Sequence, residues 1–389
     1  MVDFYADGYF RVFDDTSNGS SFILEGTKIP SIQSLGWVSN APDFKDLRDV
    51  TIGDLFCGAG IGSYGAKQAG IKAIYAFDNN KHAVDTYNLN IEPVAYVADA
   101  KKLNIEELPY VDIISAGFPC QPFSVNGKGL GEDDPDKGNL GKVTLDIILA
   151  KKPKAFFLEN VKGLVSKKNK PFFLSLIEKF KEDYNVTWEV VNCADYGVPQ
   201  NRERVFVVGL RKDLCENFIF PFKTHEYNHL SVRDAIGDIK DKGTYLRNHK
   251  EDCGIRNDEK PYIKYINDGQ CWKHLPCEEM KKDFMKGAYF SSGGKTTYLA
   301  VIDKDKPART ILSSPKGKNS SQILKWEGQE HRRYTVRESL RLQSVPDDFY
   351  FADSVPLMKQ YERCSGVPPR ISYLFLKEIK AIIKRHTVA

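Results

Sequence analysis

The sequence predicts an α/β protein, a doubly wound and mostly parallel sheet with a smaller irregular domain placed before the last helices. Three observations carry that prediction. From residue 50 to about 210, short β-branched or aromatic runs alternate with helical stretches. Near residue 211 this regularity gives way to polar, Gly- and Lys-rich segments that continue to about 325. A helical pattern then returns, and the chain closes on an amphipathic helix after a Pro pair.

The elements follow in order. Residues 1–49 are aromatic-rich and net acidic, with four basic against eight acidic side chains. Within them YFRVF and SSFILEG read as short strands of an extension packed on the core. VTIGDLF, AIYAFD, VAYVAD, DIISAGF and AFFLENV are the strands of the main sheet, separated by the helical SYGAKQAG, KHAVDTYN and VTLDIILAKK. NVTWEVVN and RERVFVVGL, joined by ADYGVPQN, read as a strand pair at one edge. TVRESLRLQ and VPPRISYLFLKEIKAIIKR are the closing helices. The expected units are an N-terminal extension (1–49), the domain that carries the sheet (50–210), a smaller irregular domain (211–325) and a C-terminal segment returning to the sheet domain (326–389).

Composition excludes several classes. With 41% hydrophobic and 28% charged residues, the 389-residue chain is neither disordered, collagenous nor coiled coil. No run approaches the ~18 apolar residues of a membrane span, and MVDFYADGYF lacks a signal-peptide pattern. Eight cysteines without a secretion signal point to reduced thiols, so a soluble cytoplasmic protein is expected. The net charge of +4 does not announce a polyanion partner. Locally, however, 151–182 carries nine Lys against three Glu, and 301–343 ten Lys/Arg against five Asp/Glu. These stretches either line a cleft for a phosphate backbone or form two solvated faces.

Four motifs carry chemistry. In DLFCGAGIGSYG (54–65), Gly60, Gly62 and Gly65 fit a dinucleotide-type loop, while Gly58 and Gly60 fit a loop passing close to an adenosyl ligand. Asp78, ending the second strand, can take a ribose hydroxyl pair, and Asp99, ending the third, an adenine amino group. In GFPCQPFS (117–124), Cys120 stands between prolines beyond a strand, either a structural thiol or a nucleophile. Glu159 in LENV lies at the same edge, where burial would favour a proton donor over a salt-bridged loop residue. In QNRERVF, period two sets Gln200, Arg202 and Arg204 on one face, suited to an anion or a base carbonyl.

Taken together and in this order, these blocks resemble the DNA cytosine-5 methyltransferases of prokaryotic and phage type. RRYTVRESLRLQSVPDDF (332–349) resembles the segment that supports the recognition domain in that family, and the resemblance runs from about residue 50 to the C-terminus. It implies S-adenosyl-L-methionine as cofactor, held by Asp54, Phe56, Gly58, Gly60, Asp78, Asn79, Asp99 and Pro119. It also implies that Cys120, Glu159, Arg202 and Arg204 act on a cytosine flipped out of double-stranded DNA. Two positions depart from the pattern. Cys364-Ser365-Gly366-Val367-Pro368 stands where the family has Gly-Asn-Ser/Ala-Val-Pro, and Asn79 where an apolar residue commonly covers adenine.

Further expectations are a monomer, no membrane association, and a cognate restriction endonuclease that is a partner in function but not in complex. Cys271, His274 and Cys277, with Cys253 upstream, have C-x5-C spacing unlike a usual zinc site, so no metal is expected. A related branch that modifies tRNA carries a Cys-Phe-Thr element, absent here. A catalytically silent relative would have lost Cys120, Glu159 or Arg204, and an oxidoreductase explains only the glycines.

Overall fold

A computed structural model describes residues 49–118, 140–240, 246–291, 297–317 and 322–386, and the backbone of three short strands nearer the N-terminus. Those three, β1 (Val2–Phe4), β2 (Phe10–Val12) and β3 (Phe22–Leu24), form an antiparallel sheet in that order. How residues 1–48 sit on the core lies outside the described residues.

The main sheet contains β4 (Thr51–Leu55), β5 (Lys72–Asp78), β6 (Ala95–Val97), β7 (Ile113–Ala116), β8 (Ala155–Val161), β9 (Tyr184–Asn192) and β11 (Glu203–Arg211). Its order is β6-β5-β4-β7-β8-β11-β9. The first five strands are parallel, and β11 runs antiparallel to both β8 and β9. The predicted edge pair is therefore β11–β9, with β9 outermost.

Alternation of side chains along a strand assigns the two faces. Phe156 and Leu158 of β8, with Val205 and Val207 of β11, bury against α3 (Leu140–Lys151) and α4 (Lys170–Phe180). Phe157, Phe206 and Val208 bury on the opposite face with Ala66 of α1 (Ile61–Gln68) and with α10 (Pro369–Arg385). Pro369 opens α10, where a missing N–H costs nothing, and Ile371, Phe375, Ile379 and Ile382 form its buried stripe. Helix α2 (Lys81–Asn90) is capped by Asn80, whose side chain accepts from Ala83 N at 3.0 Å.

The stretch read as 211–325 divides among three cores. Leu214 and Phe218 join the α10 face, and α5 (Val232–Ile236) packs with Tyr64, Trp326 and Leu340. A separate small core draws every member from residues 255–323, including Ile263, Trp272, Leu275, Met285 and Val301. It holds α6 (Lys260–Ile263) and α7 (Glu278–Met285). Two pairs of two-residue strands tie this region back: β12 (Ala308–Arg309) pairs with β10 (Gln200–Asn201), and β13 (Ile323–Leu324) with β14 (Arg332–Arg333). Next come α8 (Val336–Arg341), with a capping box of Thr335 and Glu338, and α9 (Leu357–Arg363).

The basic stretch 301–343 is not the open wall that its charge suggests. Lys304, Arg332, Arg333 and Arg337 are buried. Arg332 makes a bidentate pair with Glu338 at 2.6 Å, and Arg333 meets Glu259 at 2.5 Å. Arg337 donates to the carbonyls of Arg247, Pro346 and Phe349. Much of this charge braces the chain internally, because these guanidiniums have found acceptors both nearby in sequence and across the fold.

Candidate active site

The carboxyl ends of β4, β5, β7 and β8 open on a cavity of 320 Å3. The loop from β4 into α1 forms one wall. Phe56 has φ 59, Gly58 φ 54 and Gly60 φ 85, a left-handed path that glycine follows without strain. A Cβ on Gly58 would meet nothing within 4 Å, so the glycine there serves the backbone turn. A Cβ on Gly60 would lie 2.8 Å from Ile91 and 3.0 Å from Tyr87, so this corner also needs its absence to let α1 approach α2.

Asp78 ties this loop to β5. Its two carboxylate oxygens accept from Gly58 N at 3.1 Å and Asn80 N at 2.9 Å, leaving lone pairs for a diol. Asn79 and Asp99 are exposed on the cavity lining, and Asp99 also accepts from Lys101 N at 3.0 Å. Asp54 lies on the cavity lining and is largely buried. It accepts from Ser115 Oγ at 2.7 Å and from Ser63 Oγ, and burial pushes its carboxyl up to about 6 against these two donors. Ser63 and Ser115, which the sequence did not single out, complete the lining together with Ser365–Val367 of the segment that departs from the family pattern. The acceptor set, the open backbone at Gly58 and the cavity fit an adenosyl cofactor.

On the other side of the cavity stand Glu159 and Arg202. Pairing of Phe206 with Glu159 across β11 and β8 sets Arg204, two residues earlier, on the same face as the carboxylate. Arg204 Nε consequently lies 2.9 Å from Glu159 Oε1. Of the two readings the sequence leaves for Glu159, a desolvated proton donor or a salt-bridged carboxylate, the geometry is the ion pair. Arg202 is buried, and its backbone is pinned by Asn192 Oδ1 at 3.1 Å and by Cys193 N at 2.9 Å. Gln200 does not join the two arginines. Its amide donates to Leu342 O and Gln343 Oε1 and accepts from Ile311 N, holding the returning chain in place.

Pro119 and Cys120 lie outside the described residues. The residues just before them are anchored at this site: Asn160 Nδ2 donates to Phe118 O at 3.2 Å, and Gly117 lies beside Glu159. The cysteines described around the cavity are poor nucleophiles. Burial pushes Cys57 well above its ordinary value, with Asp54 and Asp78 adding to the shift, and pushes Cys193 and Cys364 up to about 12. Further away, Cys271 is buried with its Sγ 3.9 Å from His274 Nδ1 in one short turn, while Cys277 is exposed.

Residues 50–381 match the family of C-5 cytosine-specific DNA methylases. The chain belongs to that family. This methylase is 32% identical to the type II methyltransferase M.Sau96I of Staphylococcus aureus over 83% of its own length and 73% of the relative's. It is 36% identical to M.Bsp6I of a Bacillus strain, over 82% and 95%. Its fold matches the solved Entamoeba histolytica methyltransferase EhMeth with TM-score 0.59 at 16% identity, covering 87% and 99% of the two chains. It also matches Spodoptera frugiperda DNMT2 with TM-score 0.58 at 17% identity, over 86% and 100%. The protein is a DNA (cytosine-5-)-methyltransferase with the α/β fold of methyltransferases. Among the described residues no helix is long and apolar enough to cross a membrane.

Proposed function

We propose that the enzyme transfers the methyl group of S-adenosyl-L-methionine to C5 of a cytosine within a specific sequence of double-stranded DNA. The observation that carries this reading is the facing of two sets of groups across one cavity. Asp54, Phe56, Gly58, Gly60, Asp78, Asn79 and Asp99 belong to the cofactor side, and Arg202 and the Glu159–Arg204 pair to the base side. Pro119 would close the cofactor side. Bound there, S-adenosyl-L-methionine supplies an electrophilic methyl group.

The chain must make C5 nucleophilic, since cytosine C5 is not. Addition of the Cys120 thiolate to C6 forms a C–S bond and leaves an enamine whose electron pair reaches C5. Glu159 protonates or hydrogen-bonds ring N3, so negative charge does not build up as Cys120 adds. To do so it exchanges part of its pairing with Arg204, which turns with Arg202 to the O2 side and the neighbouring backbone. Once C5 carries the methyl group, a base removes its proton and the electron pair expels Cys120 as thiolate, restoring the aromatic ring. The target base must leave the stack to reach the cavity, at a cost of a few kcal/mol. The basic surface of 151–182 and the region centred on the small core would hold the duplex and read its sequence.

Bisulfite sequencing of a random-sequence duplex library, incubated with enzyme and cofactor, tests this function. Cytosines protected within one short motif are expected, with protection abolished by Cys120→Ser. Methylation by that variant would remove the nucleophile assignment, and methylation confined to RNA would overturn the substrate. A partner restriction endonuclease would cut the same motif when it is unmethylated. One copy of the chain supplies every residue invoked here.

A further inference from the structure

A second cavity, of 340 Å3, lies behind α1. Its rim carries the exposed Asp49, Lys67, Lys72 and Glu92, and it reaches inward to Asp54, Ser63 and Tyr87. Asp54 and Ser63 also line the cofactor cavity, so the Asp54 carboxylate stands in the partition between the two. The neighbouring carboxylates are matched to N–H donors or cations: Asp78 to two backbone amides, Asp99 to Lys101 N, and Glu159 to Arg204. Asp54 is held only by hydroxyls among the described residues, those of Ser63 and Ser115. A desolvated carboxylate without a cation is costly, which is why burial favours its protonated form.

We propose that Asp54 is the residue by which the pocket distinguishes the positively charged methyl donor from its neutral thioether product. The inference rests on the reading of the cavity as the cofactor site. S-adenosylmethionine and S-adenosylhomocysteine share the adenosyl group, the ammonium and the carboxylate, and differ by a methyl group and one positive charge at sulfur. A sulfonium in this cavity supplies the cation that Asp54 lacks, and the thioether does not.

The sign of the pH dependence follows. Above about pH 6 Asp54 is ionised in the empty pocket and favours the donor. Below that value it is protonated, and binding the donor must expel the proton. Donor affinity then falls by up to about tenfold per pH unit, while the product's changes less. Other groups face Asp54: from β5 the Asp78 carboxylate and the Tyr75 phenol, from α2 the Tyr87 phenol, and from the loop the Cys57 thiol. Burial pushes both phenols and the thiol up, so they stay neutral through this range. Arg202, Glu362 and Arg363 also line the cavity, as does Glu159, and any contact they make with the groups common to both ligands cancels in a ratio. The ratio of the two affinities therefore isolates the response to the sulfonium charge.

Calorimetric titration of the full chain with each ligand from pH 5 to pH 8, in two buffers of different ionisation enthalpy, is the test. The donor-to-product affinity ratio is expected to rise by about tenfold or more across pH 6, with proton release on donor binding alone. Asp54→Asn should flatten the ratio. Ser115→Ala, which removes one donor to Asp54, should move the midpoint to higher pH, a shift that a merely structural role would not produce. Parallel pH profiles for the two ligands, or an unmoved midpoint in Ser115→Ala, would overturn the proposal while leaving the cofactor site intact. Binding of neither ligand at any pH would overturn the site itself.

Discussion

Substitution of Gly65 by alanine sets two physical effects against each other within one helix. Gly65 lies inside α1, where alanine is worth about 1 kcal/mol over glycine from propensity alone. Against this, a Cβ at residue 65 would overlap the carbonyl oxygen of Pro369. It would also lie 2.6 Å from Tyr373 N and 2.7 Å from Ser372 Cβ. Two of these atoms are backbone of α10 and cannot swing aside, so the helices must separate by about 1 Å to restore a ~3.5 Å contact. Overpacking costs about 1–3 kcal/mol even where side chains can yield, and backbone obstruction places this case at the upper end. The net expectation is a loss of about 2 kcal/mol. Gly62, one turn earlier, is the internal control: its Cβ would sit 3.4 Å from Val367 and 3.5 Å from Ser372, in ordinary contact. Gly62→Ala should thus be neutral or stabilising. Urea denaturation followed by circular dichroism compares the two, and a Gly65→Ala protein as stable as Gly62→Ala would refute the reasoning. Because Ser365–Val367, leading into α10, lines the cofactor cavity, Gly65→Ala should also weaken cofactor binding.

Two other outcomes can be checked independently. Glu259→Ala removes the carboxylate from Arg333, which is 1% exposed, and should cost about 3–5 kcal/mol by chemical denaturation; a change under about 1 kcal/mol would mean that water or another group takes over the guanidinium. His225 is pushed down to about 4 by burial, with Arg370 and His229 adding to the effect. Its unfolded form binds a proton below about 6.5, so stability is lost as pH falls from there towards 4. An imidazole NMR titration with a midpoint near 6.5 would contradict this.

The strands of the parallel sheet were legible because each is a short apolar run bounded by glycine or polar residues, and α10 because its apolar residues recur at helical spacing. The site was legible as a set of residue types, since Asp54, Asp78, Asp99 and Glu159 all fall within two residues of a strand's carboxyl end. Their partners were not. Asp54 depends on Ser63 and on Ser115 from another strand, and Glu159 meets Arg204 only through the register of β8 with β11. Register and long-range pairing leave no local mark on composition. For the same reason the charge of the 301–343 stretch did not reveal that Glu259, Glu338 and several carbonyls enclose Arg332, Arg333 and Arg337. Cys120 and Pro119 lie outside the described residues, and their assignment rests on motif order.

The small core is fastened at both of its ends. Its buried side chains all come from residues 255–323, and Asp252 just before it bridges Thr335 just after β14. Entry and exit of this excursion are therefore held about 5 Å apart, the spacing of neighbouring strands. An excursion with its own interior and adjoining ends can change in length and surface while the strands that carry Asp54, Asp78 and Glu159 keep their register. Under the function proposed above, a lineage could acquire a new DNA target by altering this excursion alone, leaving the chemistry untouched.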